Sequence, residues 1–124
     1  MPLSFNYKPD IHLFMISGSD TINVNDIETF NKHFNEHIQS KPKFKMMFDL
    51  RNVSIAHPDA VSKTIRYIVK YNKIAHKHII ASAIIVNGFT IESLATMVIS
   101  TNPPPTPTKV TSNVQTACDF LNEY

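Results

Sequence analysis

The chain has one cysteine, two glycines and no tryptophan in 124 residues. The single thiol, Cys118, excludes an internal disulfide framework, and one cysteine cannot build a thiolate zinc cluster by itself. With only Gly18 and Gly88, there is no glycine-rich loop to bring backbone amides against a phosphate chain. No run reaches the ~18 consecutive apolar residues of a membrane span. The N-terminus has no basic segment leading into a long apolar one. These absences lead to the expectation of a cytoplasmic chain without membrane span, metal or cofactor. Charged residues make up 18% and hydrophobic residues 43%, a balance that favours a core over wholesale disorder. The length fits one domain over residues 1–124, with its core at about 11–122.

Charge is scarce but unevenly placed. Residues 41–77 hold nine basic residues (Lys41, Lys43, Lys45, Arg51, Lys63, Arg66, Lys70, Lys73, Lys77) and two acidic ones (Asp49, Asp59), a local net of +7. The remainder nets −5. Such separation suits an acidic protein surface or a phosphate-bearing ligand.

Residues 3–7 alternate and read as an edge strand, Pro9-Asp10 as a turn, and 11–16 as a second strand ended by Ser17-Gly18-Ser19-Asp20. A helix follows, opened by Asn23 with Asp26 or by Asn25 with Glu28, and stopped by Pro42. Ile27, Phe30, Phe34 and Ile38 recur along it at helical spacing. Residues 44–50 form a near-continuous apolar strand of the kind covered on both faces. Pro58 suits the first turn of a second helix, where a missing N–H leaves nothing unpaired. Val61, Ile65, Ile68, Val69 and Ala75 are its expected buried stripe, with Lys63, Arg66, Lys70 and Lys77 opposite. Residues 79–86 are a third apolar strand, ended by Asn87-Gly88. A helix over 90–99 packs Ile91, Leu94 and Val98. A proline-rich segment, 103–107, leads to a short strand at 109–111. Ser112 with Gln115 forms a capping box for a final helix over 114–122, where Cys118 is expected as a buried thiol. The order ββαβαβαβα predicts an α/β domain with a small mixed, mostly parallel sheet and covering helices. The first strand pairs antiparallel with the second, because only a short turn separates them.

The stretch Phe48-Asp49-Leu50-Arg51-Asn52-Val53-Ser54, the following Ile65, Tyr67, Ile68 and Lys70, and the apolar run at 79–86 together resemble the STAS domain. That is the family of bacterial anti-anti-sigma factors and of sulfate-transporter cytoplasmic tails. The resemblance covers nearly the whole chain and implies a protein-binding domain. In the family's switch members, the turn into the helix reads Asp-Ser-Ser-Gly, and a kinase partner phosphorylates the second serine. Here that turn is His57-Pro58-Asp59-Ala60, so Asp59 stands at the acceptor position, where a hydroxyl is needed for a phosphate ester. An aspartate there is favourable at a helix N-terminus and imitates a phosphoserine only in part. The resemblance then implies a scaffold kept without its regulated serine. Ser54 aligns with a strand-to-loop position and is a poor substitute.

Asp49, at the expected strand tip, suits hydrogen bonds from the turn. As a receiver-domain phosphoacceptor it lacks the acidic pair after the first strand, although Lys109 would suit such a site. His33 and His37 are four apart, a spacing that can place two imidazoles on one metal. Glu36, however, does not follow the first histidine directly as in a zinc-protease helix, so the pair reads as a solvated helix edge. His76 and His78 suit a helix C-terminus. Tyr67 and Tyr71 lie beside the basic stripe. Low net charge and the lack of a nucleic-acid module argue for a protein partner over a nucleic acid. Pro104 and Pro107 satisfy a Pro-x-x-Pro pattern, though a rigid connector fits their position better.

The expectation is a non-enzymatic protein-interaction or regulatory domain. Its partner surface comprises Ser54, His57, Asp59, Lys63, Arg66, Tyr67 and Lys70, facing an acidic protein. The edge strand 3–7 offers a route to self-association. The alternative is a small enzyme or ligand-binding protein using Asp49 or His57 at the strand-end crevice.

Overall fold

Five strands hydrogen-bond side by side in the order in which the chain makes them. In the computed structural model β1 (Leu3–Lys8) runs antiparallel to β2 (Leu13–Ile22), with Leu3 opposite Gly18 and Lys8 opposite Leu13. β2, β3 (Phe44–Ala56), β4 (Ile79–Ile85) and β5 (Thr108–Thr111) are parallel to one another. Helices α1 (Val24–Ser40), α2 (Pro58–His78) and α3 (Phe89–Thr101) are the crossovers between them, and α4 (Val114–Asn122) ends the chain. The structure describes residues 3–40, 42–101, 103 and 106–124, with the backbone alone for Ile68, Asn72, Lys73, Ala75 and His76. The Pro-x-x-Pro pattern, which needs Pro104, lies outside the described residues, as do the side chains of Ile68 and Ala75 in the expected α2 stripe.

The strand order explains the layers. Parallel crossovers share one hand, and strands laid down in sequence therefore put all three crossover helices on the same side. Their core joins Phe14, Ile16, Phe44 and Met46 of the sheet to Phe34 and Ile38 of α1, Ala60 of α2 and Ile91 of α3. Helix α4 is not a crossover and is free to cover the other face. There Ala81, Ala83 and Ile85 of β4 meet Ala117 and Leu121, with Cys118 half-buried beside them. Three fully buried alanines let α4 lie close to the sheet.

Local chemistry sets the element ends. Asn23 and Asp26 cap α1 reciprocally: Asn23 N–H donates to Asp26 Oδ2 at 2.8 Å, and Asp26 N–H to Asn23 Oδ1 at 3.2 Å. This is the first of the two arrangements anticipated. On β1, Leu3, Phe5 and Tyr7 turn toward the core while Ser4, Asn6 and Lys8 are exposed, the alternation of a half-buried strand.

Several expectations need correction. β2 does not end at Ser17-Gly18-Ser19-Asp20 but runs through it, with register shifts at Ser17/Ser19 and Asp20/Thr21. β3 likewise continues past Leu50 to Ala56. The two extensions pair with each other, so strand partners satisfy backbone groups that turn-like side chains would locally satisfy. Asp49 is therefore mid-strand, not at a tip. Val69 is not in the buried stripe of α2: it is 60% exposed. The cap of α4 is Asn113, whose Oδ1 accepts from Thr116 N–H at 3.0 Å. Gln115 bonds Asp119 instead of closing a box with Ser112.

Candidate functional site

The expected partner residues lie where β3 leaves the sheet and α2 begins. Ser54 Oγ donates to the Asp20 carbonyl at 3.3 Å and stays within the strand. His57 N–H donates to the Ile22 carbonyl at 3.0 Å, and the His57 carbonyl accepts from Val61 N–H at 3.1 Å. The backbone of His57 thus ties β2, β3 and the first turn of α2 together, while its side chain is exposed. Pro58 takes the first helical position, and the exposed carboxylate of Asp59 sits in the first turn, where the helix dipole favours it.

The basic stripe divides. Lys63 Nζ lies 3.3 Å from Glu28 Oε1 of α1 and 5.4 Å from the centre of the Tyr67 ring. Tyr67 and Tyr71 are half-buried with their rings 6.1 Å apart, and Tyr71 meets Phe34 edge-on at 5.6 Å. These three residues turn toward α1. Arg66, Lys70 and Lys77 are exposed. Two large apolar side chains also stand in water at the carboxyl end of the parallel strands: Ile55 at 55% exposure and Phe89 at 85%.

Asp49 lies elsewhere. Met46, Phe48 and Leu50 belong to the three-helix side and Met47 to the α4 side, so strand alternation puts Asp49 on the latter. Its carboxylate accepts from Arg51 Nε at 2.9 Å, from Arg51 Nη2 at 2.8 Å and from Arg51 N–H at 3.2 Å. The side-chain bond from the guanidinium holds the Asp49 carboxyl below its ordinary value, against the opposing effect of burial. The same bond raises Arg51. A carboxylate so engaged is a stable anion, not a proton-transfer group.

Of the two α1 histidines expected at a solvated edge, His33 is exposed but His37 is not. His37 is 9% exposed, stacked on Phe14 at 4.2 Å and met edge-on by Tyr7 and Phe44 at 4.5 and 4.6 Å. His33 stacks on Phe5 at 4.1 Å. With Glu36, they line a crevice of about 220 Å³ at the β1–α1 edge. Among the described residues no group of acidic, histidine or cysteine side chains is arranged to hold a metal ion.

A larger space lies between the sheet and the three crossover helices. It has a volume of about 340 Å³ and an almost wholly apolar lining, including Ile16, Phe48 and Leu50 from strands and Phe30, Leu94 and Val98 from helices. Neither Asp49 nor His57 lines it, whereas Tyr67 and Tyr71 do. Asn31 of α1 also lines it, and the buried Oδ1 of Asn31 has no hydrogen-bond partner. The sequence reading missed this cavity, because Ile91, Leu94 and Val98 look like any core stripe. The available signal was Asn31, a polar residue four positions after Ile27 and three before Phe34, on the face meant for the core.

A family model described as a domain of unknown function, DUF7793, matches residues 5–124, and the chain belongs to that family. The curated proteins contain no match. Among solved structures, the chain is similar to an uncharacterized protein of the DUF3478 family from Shewanella loihica PV-4, described as having a SpoIIAA-like fold. The TM-score is 0.69 at 15% identity, over 96% of this chain and 91% of the other. The fold is thus SpoIIAA-like, the STAS-type architecture that the residues at 48–54 resemble. No helix among the described residues is long and apolar enough to cross a membrane.

Proposed function

We propose that this domain acts through protein–protein contact, without catalysis, at the carboxyl end of its sheet. The observation that carries this reading is the exposure of Ile55 beside the β3–α2 junction, where partners and ligands of open α/β sheets meet the protein. An exposed apolar centre within a polar rim is the usual composition of an interaction surface. Ser54, His57, Asp59, Arg66 and Lys70 form that rim, and Lys63 and Tyr67 its inner border toward α1. The exposed cations Arg66 and Lys70, the latter with its Nζ 5.4 Å from the centre of the Tyr71 ring, and Lys77 further along, favour an acidic partner. By the STAS resemblance, Asp59 gives the junction a constant negative charge in place of a regulated one. The SpoIIAA-like fold supports an interaction or regulatory role at this coarse level.

A photo-crosslinking residue at position 55, with the same group at Asn6 as control, tests the reading in native extract. The expected result is one discrete protein captured at 55 and not at 6, with capture reduced by salt and lost in Arg66→Glu/Lys70→Glu. Equal labelling from both positions, or capture indifferent to charge reversal, refutes it.

A further inference from the structure

We infer that the cavity beneath α1, α2 and α3 is a binding site for a small, uncharged, apolar molecule carrying one hydrogen-bond donor. The volume of about 340 Å³ falls within the range of small-molecule sites. At the ~0.74 packing density of protein interiors, it accepts roughly 250 Å³ of ligand. The lining is mostly hydrocarbon and aromatic, with Asn31, Thr64, Ser82, Thr106 and Thr108 as its polar members, and among the described residues no Lys, Arg, Asp, Glu or His lines it, so a charged ligand would be desolvated without compensation. The Asn31 amide supplies the polar anchor. A buried acceptor without a partner is destabilising until a donor reaches it, and a ligand hydroxyl or N–H is such a donor.

The space is partly open to solvent, and half-buried residues of helix α3 border it. Ile91, Leu94, Ala95, Val98 and Ile99 line the cavity, yet α3 makes few contacts with its neighbours beyond β3 and β5. A helix held mainly by the cavity it covers can shift to admit a ligand. This site shares Tyr67 with the inner border of the partner surface proposed above, but it rests on the cavity and Asn31 and not on Ile55 or the exposed cations, so either can fail without the other.

The test uses the full chain and N-phenyl-1-naphthylamine, an apolar fluorophore with one N–H donor. Binding should saturate near one equivalent, with enhanced and blue-shifted emission. Displacement by 1-decanol should be about 3–10-fold more effective than by methyl nonyl ether, which has the same size and no donor. Asn31→Leu should erase that ratio. Ala95→Phe, which occupies the cavity, should weaken the fluorophore by at least about tenfold, with folding checked by circular dichroism. Phe89→Ser, which alters only exposed apolar surface, should change nothing. If Ala95→Phe does not fold, the alcohol-to-ether ratio in wild type and Asn31→Leu decides the matter. Absence of stoichiometric binding, a ratio near one in wild type, or binding that survives Ala95→Phe and disappears in Phe89→Ser overturns the inference.

Discussion

Replacing Ala95 by leucine is expected to stabilise the protein. Ala95 is half-buried on the face of α3 that bounds the cavity, and leucine adds three carbons. At ~0.8 kcal/mol per buried CH₂, the gross gain is about 2.4 kcal/mol. Restricting the leucine rotamers returns ~0.5–1 kcal/mol of that. The net is about 1.5 kcal/mol. In a well-packed core the same change costs ~1–3 kcal/mol by overpacking, so the sign alone separates the two situations. For a domain of this length, ~4 °C per kcal/mol converts the gain to a rise in Tm of about 6 °C. Urea unfolding followed by circular dichroism measures it directly, and an unchanged m-value would show that the unfolded state has not moved. A loss of 1 kcal/mol or more would refute the reasoning, because leucine would then be entering filled space.

The opposite face supplies the mirror experiment. Ala83 is fully buried between β4 and α4, against Ala117, so Ala83→Leu should displace the helix and cost ~1–3 kcal/mol in the same urea assay. The Asp49–Arg51 pair predicts a pH signature. Because the folded state lowers the Asp49 carboxyl, its contribution is present above the ordinary carboxylate value and is lost as pH falls through the lowered one. The stability difference between wild type and Asp49→Asn should therefore be flat from pH 5 to 7 and shrink below about pH 4. A difference that grows on acidification would contradict the assigned pairing.

Much of the architecture is legible without coordinates. The alternation of residues 3–7, the helical spacing of Ile27, Phe30, Phe34 and Ile38, and the Asn23–Asp26 cap all operate within a few residues, and all appear in the structure. So does the antiparallel start, which follows from a turn too short for a crossover. What fails is whatever depends on a distant partner. Ser17-Gly18-Ser19-Asp20 has turn chemistry, but the long β3 alongside it turns the segment into strand. Val69 has the right spacing for the core yet faces water, on a side of α2 that none of the described elements covers. His37 resembles a solvated histidine until Tyr7, Phe14 and Phe44 enclose it from three other elements.

The candidate sites divide along the same line. The segment 54–59, with its basic residues downstream, is a local pattern, and the sequence alone determined its composition and its place at a strand-to-helix junction. Which of those residues reach solvent was decided by the tertiary structure, which turns Lys63 onto Glu28 and leaves Arg66 exposed. The cavity belongs wholly to the tertiary structure. Its walls come from all five strands and three helices spread along the chain, and a volume left between packed elements is a property of their spacing in three dimensions, which no local pattern of residues encodes.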